Sequence, residues 1–232
     1  MYPPIQETFP EVFILESLSL EDERRGRYEG KVLAETLKMC GKSPEYYYFR
    51  TEEELIELAK EFRKSGYRFL HLSCHGSHNE IATTFGSISY QRFAEIFSGF
   101  LQNRRLFVSA CEVGNELFST VISAKNKGMY SIASPSIKIR FDISVALWSS
   151  LYVKTFLADE NFVKGTNIYL SLVYLCEFFE APFHWSWYKA RGNKWIHQTI
   201  EGKPTIKPKT QAQKAASLEV EKQESETPVC LP

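Results

Sequence analysis

Surplus charge is the first thing missing from this chain. Lys and Arg together number 28, as do Asp and Glu, so the formal net charge is zero. With no electrostatic excess to neutralise phosphates, a globally basic nucleic-acid binder is excluded, while a local basic patch stays open. Hydrophobic residues make up 44%, which excludes a polyacidic disordered chain. Long apolar runs are missing too. The richest stretch, Ile168 to Phe179, is broken by Ser171 and Glu177 and has about a dozen residues, where a spanning helix needs roughly 20. The opening MYPPIQETFPEV has no basic region followed by an apolar run, so no signal peptide is expected. A soluble, cytoplasmic protein with no membrane partner is the expectation.

Cysteine is scarce and odd in number: Cys40, Cys74, Cys111, Cys176 and Cys230, with no C-x-x-C pair. That argues against a disulfide framework and for reduced thiols, one of which has a chemical role. Cys230 is third from the end, so the terminus is not a prenylation box, which needs it fourth. Neither GxxxxGK[ST] nor GxGxxG occurs, so phosphate-cradling loops get no support and no cofactor is expected. Aromatic residues are absent from 202–232, where Lys, Glu, Gln, Ser, Thr and Pro dominate. Such a segment cannot bury enough apolar surface to offset its ordering entropy, and it reads as a mobile polar tail. No repeat or Gly/Ser linker divides what precedes it, so residues 1–201 read as one domain.

What is there is an alternation of strands and helices. Val12-Phe13-Ile14-Leu15 is a short apolar run, hence a buried strand, followed by a polar loop from Ser19 to Gly26 and a helix ending near Cys40. Tyr46 to Phe49 is a second strand. Thr51 and Glu54 form a capping box for a helix whose Leu55, Leu58, Ala59 and Phe62 share one face, with Gly66 terminating it. Arg68 to Cys74 is a third strand. A hairpin centred on Phe85-Gly86 and a helix bearing Phe93, Ile96 and Phe97 come next. Leu106 to Ala110 is a fourth strand, a helix starts near Glu116, and Met129 to Ala133 is a fifth strand. Helices over 142–157 and 167–180 precede two late strands, 185–189 and 195–199. Apolar, non-alternating strands between helices predict a mostly parallel sheet covered on both faces. In such sheets chemistry collects at the carboxyl ends of the strands.

The third strand ends in Cys74-His75-Gly76 and the fourth in Ala110-Cys111-Glu112. If these strands are parallel neighbours, their ends lie about 5 Å apart. An imidazole and a thiol side by side are a base and its nucleophile, and the imidazolium favours a thiolate. The backbone N–H groups of Gly76 and Cys111 are the candidate oxyanion donors, and glycine lets substrate approach closely.

Each residue also has a plainer reading. Cys111 alone is more often a buried core thiol; His75 at the neighbouring strand end reverses that. His71 lies mid-strand and reads as core, whereas His78 falls in the following loop and reads as solvated. Cys74, His75, His78 and Cys111 permit a zinc set by spacing, but adjacent strand residues point to opposite faces, so no metal is expected. Glu112 and Asp142 are candidate walls of the pocket for the residue before the scissile bond. Asp142 also suits a helix N-cap, and Glu112 a plain loop carboxylate. Phe183, Trp185, Trp187, Tyr188 and Trp195 alternate along the late strands as core plus rim. A base-stacking surface would need a basic groove, which is lacking, so no nucleic-acid partner is expected.

Residues 68–76, RFLHLSCHG, resemble the histidine strand of caspase-like proteases, and residues 105–114, RLFVSACEVG, resemble their cysteine strand. The likeness is to the CHAT subgroup, with its "ACHG" and "SACETG" motifs. SIASPSIKIRFDISVALWSSLYVKTFLA resembles that family's strand, loop and helix after the cysteine, and APFHWSWYKARGNK its closing Pro-x-x-Trp strand. The resemblance spans roughly residues 10–200. It implies a caspase-like three-layer α/β/α sandwich with a mostly parallel sheet and a late antiparallel strand. It also implies a cysteine endopeptidase acting through a His75–Cys111 dyad, with no third member named. Thirty-six residues separate the pair, a shorter interval than the roughly 50 of caspases. Ser109 and Glu112 replace the glutamine and arginine that flank the caspase cysteine, so aspartate specificity is not carried over. In caspases an arginine of the loop after the first strand helps bind the substrate acid. Here Arg25 is the candidate, beside Arg24 and Arg27. CHAT domains are commonly joined to repeat or sensor modules, which implies control by a separate regulatory protein. The alternatives are a catalytically inactive caspase-like module that binds a partner, and a flavodoxin-like ligand-binding domain in which both motifs are accidental.

Overall fold

The apolar runs dictate strands buried on both faces, and the chain builds its sheet from them. The protein is described by a computed structural model covering residues 7–160 and 163–201; the 202–232 tail lies outside the described residues. β1 (Phe9–Ser17) lies between β2 (Glu45–Tyr48) and β3 (Tyr67–Cys74), and β3 is followed by β6 (Arg105–Ser109) and β7 (Ser131–Pro135), all parallel. β8 (Phe183–Lys189) runs antiparallel to β7, and β9 (Lys194–Ile200) antiparallel to β8, so β8 is the late strand that runs against the rest of this sheet, as the sequence predicts. The remaining two strands, β4 (Glu80–Thr83) and β5 (Gly86–Ser89), form the expected hairpin.

Alternation along the strands feeds two cores. Phe13, Leu15, Leu70, Leu72 and Val108 face α3 (Glu52–Ser65), α4 (Tyr90–Ile96) and α5 (Glu116–Lys125) through Phe62, Phe93 and Phe118. Val12, Ile14, Phe69 and Phe107 face α2 (Glu29–Met39), α6 (Phe141–Ala158) and α7 (Gly165–Phe179) through Leu33, Trp148 and Leu172. The result is the three-layer α/β sandwich the sequence predicts. The predicted capping box of α3 has both halves, and Gly66 ends that helix at φ +71°, where a side chain would be strained.

Two local expectations need correction. The polar loop from Ser19 to Gly26 contains a helical turn, α1 (Leu20–Arg24), because the Ser19 hydroxyl accepts the Asp22 N–H at 3.2 Å and caps it. Asp142 is not the N-cap of α6. That position belongs to Arg140, and Asp142 lies in the first turn, pairing with the Arg140 guanidinium at 3.0 and 2.6 Å.

The order of the sheet positions the site. From β1 the chain steps outward to β2, then returns across to β3 and continues to β6 and β7. The winding therefore reverses between β1 and β3, and the crevice beyond their carboxyl ends is where such sheets bind ligands.

Candidate active site

Register sets the first distance. Ser73 of β3 pairs with Ser109 of β6, so the segments 74–76 and 110–112 leave the sheet side by side. His75 and Cys111 line one small cavity of ≈50 Å³, together with Glu29, Ser109, Phe141 and Ser144. Position 76 beside them has room only for glycine. A Cβ there would stand 2.5 Å from Val113 Cγ2 and 3.0 Å from Ala110 Cβ, so the histidine loop lies directly on the cysteine loop. Its N–H is also unused by the adjoining hairpin: the Gly76–Ile81 bridge is closed by Ala82 N–H to His75 C=O (2.9 Å) and Ser77 N–H to Glu80 C=O (3.0 Å).

The winding reversal brings α1 against the histidine. Asp22 Oδ2 lies 2.7 Å from His75 Nε2, Oδ1 accepts from Arg27 at 2.8 Å, and the Ser19 hydroxyl donates to Oδ2 at 2.6 Å. Burial alone would raise the Asp22 pKa, but the hydrogen bonds from Ser19, His75 and Arg27 outweigh it and hold the carboxyl below its usual range. A carboxylate at Nε2 keeps the proton there, leaving Nδ1 as the free lone pair of the neutral ring. The Phe141 ring meets the imidazole edge-on at 5.6 Å and fixes its plane. The sequence reading named no orienting group. The signal was the Ser19-x-x-Asp22 spacing, a capping pattern hidden in a mixed-charge loop.

Cys111 is half-buried. Its sulfur accepts the Ile139 N–H at 3.5 Å and lies 3.6 Å from the Ile139 carbonyl. The next residue, Glu112, takes a left-handed φ of +63°, which for a non-glycine stores about 1–3 kcal/mol. Its N–H donates to the Ile137 carbonyl at 3.2 Å, tying the cysteine turn to the 136–140 segment.

Glu29, at the start of α2, forms the floor of the cavity. It is buried, accepting from Ser109 Oγ at 2.6 Å and Ser144 Oγ at 3.0 Å, with Ser73 Oγ at 3.4 Å. No cation meets it among the described residues, and burial pushes its carboxyl up to about 7. Behind it, Glu16 is also raised by burial while accepting from Tyr46 OH and Gly30 N–H, both at 2.7 Å. Glu29 escaped the sequence reading, although its i+4 and i+8 neighbours Leu33 and Leu37 place it on the inward face of the helix.

A wider cavity of ≈670 Å³ adjoins the small one, sharing Glu29 and Phe141 and adding Arg27, Val32, Arg140 and Asp142. Asp142 therefore reaches a cavity wall, paired with Arg140. Glu112 does not; its Oε1 lies 3.6 Å from His78 Nε2. Arg25 does not either. It ends α1, is exposed, and pairs with Glu21 one turn back at 2.5 Å. Gly26, at φ +67°, then reverses the chain, so Arg27 reaches the site in place of Arg25. Its guanidinium lies over Phe141 at 5.5 Å.

His71 is buried among Trp148 and Tyr152, and burial pushes it down to about 3, so it stays neutral in the core. Among the described residues no three His, Cys, Asp or Glu converge to hold a metal ion, and no helix is long and apolar enough to cross a membrane.

No protein-family model matches the sequence, and comparison with curated proteins finds no match. Solved structures do match. A secreted C11 cysteine protease from Bacteroides thetaiotaomicron aligns over 78% of this chain and 67% of its own, at 9% identity and a TM-score of 0.51. Caspase-1 from Spodoptera frugiperda aligns over 76% and 78%, at 13% identity and a TM-score of 0.49, and pro-sf-caspase-1 over 86% and 87%, at 14% and 0.47. Likeness at such low identity speaks for the fold alone, a mostly parallel α/β sandwich of the kind the C11 protease has.

Proposed function

We propose that this protein is a cysteine endopeptidase of the CHAT type, acting on a peptide or protein substrate through His75 and Cys111. The observation that carries the reading is the shared cavity: thiol and imidazole line it together, with the imidazole anchored by Asp22 at 2.7 Å. His75 Nδ1 takes the Cys111 proton and the thiolate attacks the scissile carbonyl carbon. The Gly76 and Cys111 N–H groups hold the oxyanion. The imidazolium then protonates the leaving amine, and neutral His75 activates water to release the acyl group. Asp22 orients the ring throughout and stabilises its charged form. The small cavity takes the side chain before the cut, with a carboxyl and two hydroxyls at its floor. A reducing, cytoplasmic setting suits a thiolate enzyme.

One observation favours the other reading, a non-catalytic module. The Cys111 sulfur is engaged by the Ile139 backbone at 3.5 Å. On the catalytic reading this contact positions the sulfur without blocking it, and a separate regulatory protein that shifts the 136–140 segment raises the activity.

The test is the pH dependence of Cys111 alkylation, followed by mass spectrometry in the native protein and in His75→Ala. An ordinary thiol titrates near about 8.5. Fast labelling near about pH 6, lost in His75→Ala, is the expected result. Labelling that ignores His75 sinks the dyad. Peptide-library cleavage abolished by Cys111→Ala completes the case for hydrolysis.

A further inference from the structure

β6 carries Cys111 beyond its carboxyl end and Arg105 at its amino end. At about 3.3 Å per residue these stand roughly 20 Å apart, at opposite ends of the strand. Arg105 lines a second cavity, of ≈500 Å³, between the start of α7, Tyr130 just ahead of β7, and the strands β8 and β9. The cavity is within the size range of small-molecule sites.

Three features converge there. The first is a buried cation without a counter-charge. Arg105 is 7% exposed, and its polar partners are Ser131 Oγ at 2.8 Å and the Val163 carbonyl at 3.1 Å. Its Nε–H has no partner at all among the described residues. Burial, with Arg68 nearby, pushes even this guanidinium down to about 10. A buried charge left unpaired is costly, and an incoming anion removes the cost. The second is the amino end of α7, a helix of 15 residues whose N-cap, Lys164, makes no side-chain cap bond. Gly165 and Thr166 open the helix at the cavity wall, and a Cβ on Gly165 would lie only 3.6 Å from the Arg105 guanidinium nitrogens. Helix N–H groups and guanidinium thus face one spot, the arrangement that holds anions. The third is the lining: Trp187, Tyr169 and Tyr130 present ring surfaces beside the buried Trp185, with Tyr130 already stacked on Arg105 at 5.1 Å, and none of the lining residues is acidic.

We infer that this cavity binds a small anion carried on a planar aromatic ring, of about the size of a mononucleotide. Arg105 and the first turn of α7 take the anionic group, and the Trp187 indole and the Tyr169 ring take the aromatic ring. The anion is a phosphate monoester or a carboxylate, two sources of one chemistry. The inference is independent of whether Cys111 is reactive.

Calorimetric titration of the full chain decides it. The probes are adenosine 5′-monophosphate and indole-3-acetate, with adenosine and inorganic phosphate as controls. At least one ring-bearing anion is expected to bind roughly tenfold or more tightly than either control, a difference of about 1.4 kcal/mol. Which of the two binds identifies the source of the anion. Arg105→Gln should lose that tenfold advantage. Because Arg105 is buried and its variant could misfold, Trp187→Leu, at a half-exposed wall, gives a second reading and should weaken the same ligand several-fold. Absence of binding by both anions at about 1 mM overturns the inference, as does binding that adenosine matches or that neither substitution weakens.

Discussion

Asp22 and Glu29 are buried carboxyls seven positions apart in sequence that both serve the same crevice, and their surroundings push them in opposite directions. Asp22 meets a guanidinium, a histidine and a serine, and its pKa is lowered. Glu29 meets only hydroxyls, with Glu16 nearby, and its pKa rises to about 7. Two things separate them: Glu29 lies deeper among packed atoms, so burial raises it more, and only Asp22 has a cation in reach. α1 ends in a turn that returns Arg27 to Asp22, whereas Glu29 is met by the hydroxyls of Ser73, Ser109 and Ser144. The first carboxyl is fixed as a charge that orients His75. The second is poised near neutrality, where a proton, or the donor of an incoming side chain, completes it.

The largest expected effect tests that contrast directly. Glu29 is raised from 4.5 to about 7, so the folded state holds the proton more tightly than the unfolded one. Its contribution is fully present below the unfolded value and is lost as pH rises through the folded one. The shift is worth about 3 kcal/mol. Denaturant titrations at about pH 5 and 8 should show this loss as the difference between the native protein and Glu29→Gln, because His71, kept neutral in the core, gains stability over the same range and offsets it in the native profile. Asp22 has the opposite sign: its lowered pKa gives stability at neutral pH that disappears as pH falls through the folded value. Equal slopes in Glu29→Gln and the native protein would mean that Glu29 titrates as an ordinary carboxyl and that the contrast is false.

Next in size is Gly76→Ala. Its Cβ would collide with Val113 and Ala110, neither of which is a flexible side chain, so the two site loops must part. Overpacking of this kind costs about 1–3 kcal/mol. A midpoint shift in chemical denaturation, with Cys111 labelling no longer dependent on His75, is the expected signature. A stable Gly76→Ala protein with native labelling would show that the loops have slack.

Asp22→Asn should cost less stability but more chemistry. The amide keeps the shape, yet it no longer supports a charged imidazole or fixes the proton on Nε2. Cys111 alkylation near about pH 6.5 should slow roughly tenfold, about 1.4 kcal/mol, with little change in denaturation midpoint. Unchanged labelling would reduce Asp22 to a partner of the Ser19 cap of α1.

These carboxyls also mark where the sequence stopped being legible. The neighbouring strand ends carrying His75 and Cys111 could be read because apolar runs between helices force a parallel sheet, and the rule for strand ends does the rest. α3 could be read because Thr51, Glu54 and Gly66 are punctuation that acts locally. Asp22 could not be singled out. Six of the seven residues from Glu21 to Arg27 are charged, and only the winding reversal at β1 and β3 selects which of them meets the histidine. Glu29 was hidden for another reason: an acidic residue in the first turn of a helix normally faces water, and nothing in the local pattern announces three serines from distant strands and helices. Arg25 and Arg27 differ by one turn reversal at Gly26, a backbone event that residue type alone does not order.

That last pair provides the smallest and sharpest test. Arg25 is exposed and makes one surface ion pair with Glu21, a kind of contact worth about 0–1 kcal/mol. Arg25→Ala should therefore leave stability within about 0.5 kcal/mol of the native protein and leave Cys111 labelling untouched. Arg27→Ala removes the guanidinium from Asp22 and from the face of Phe141, whose edge holds the His75 ring. Asp22 then keeps only Ser19 and His75, its carboxyl titrates higher, and the acid-side loss of stability moves to higher pH. If Arg25→Ala and Arg27→Ala behave alike, both arginines serve only as surface charge and Asp22 is held by the histidine and the cap alone. If only Arg27→Ala shifts the acid limb, the turn at Gly26 selects the cation that sets Asp22 apart from Glu29.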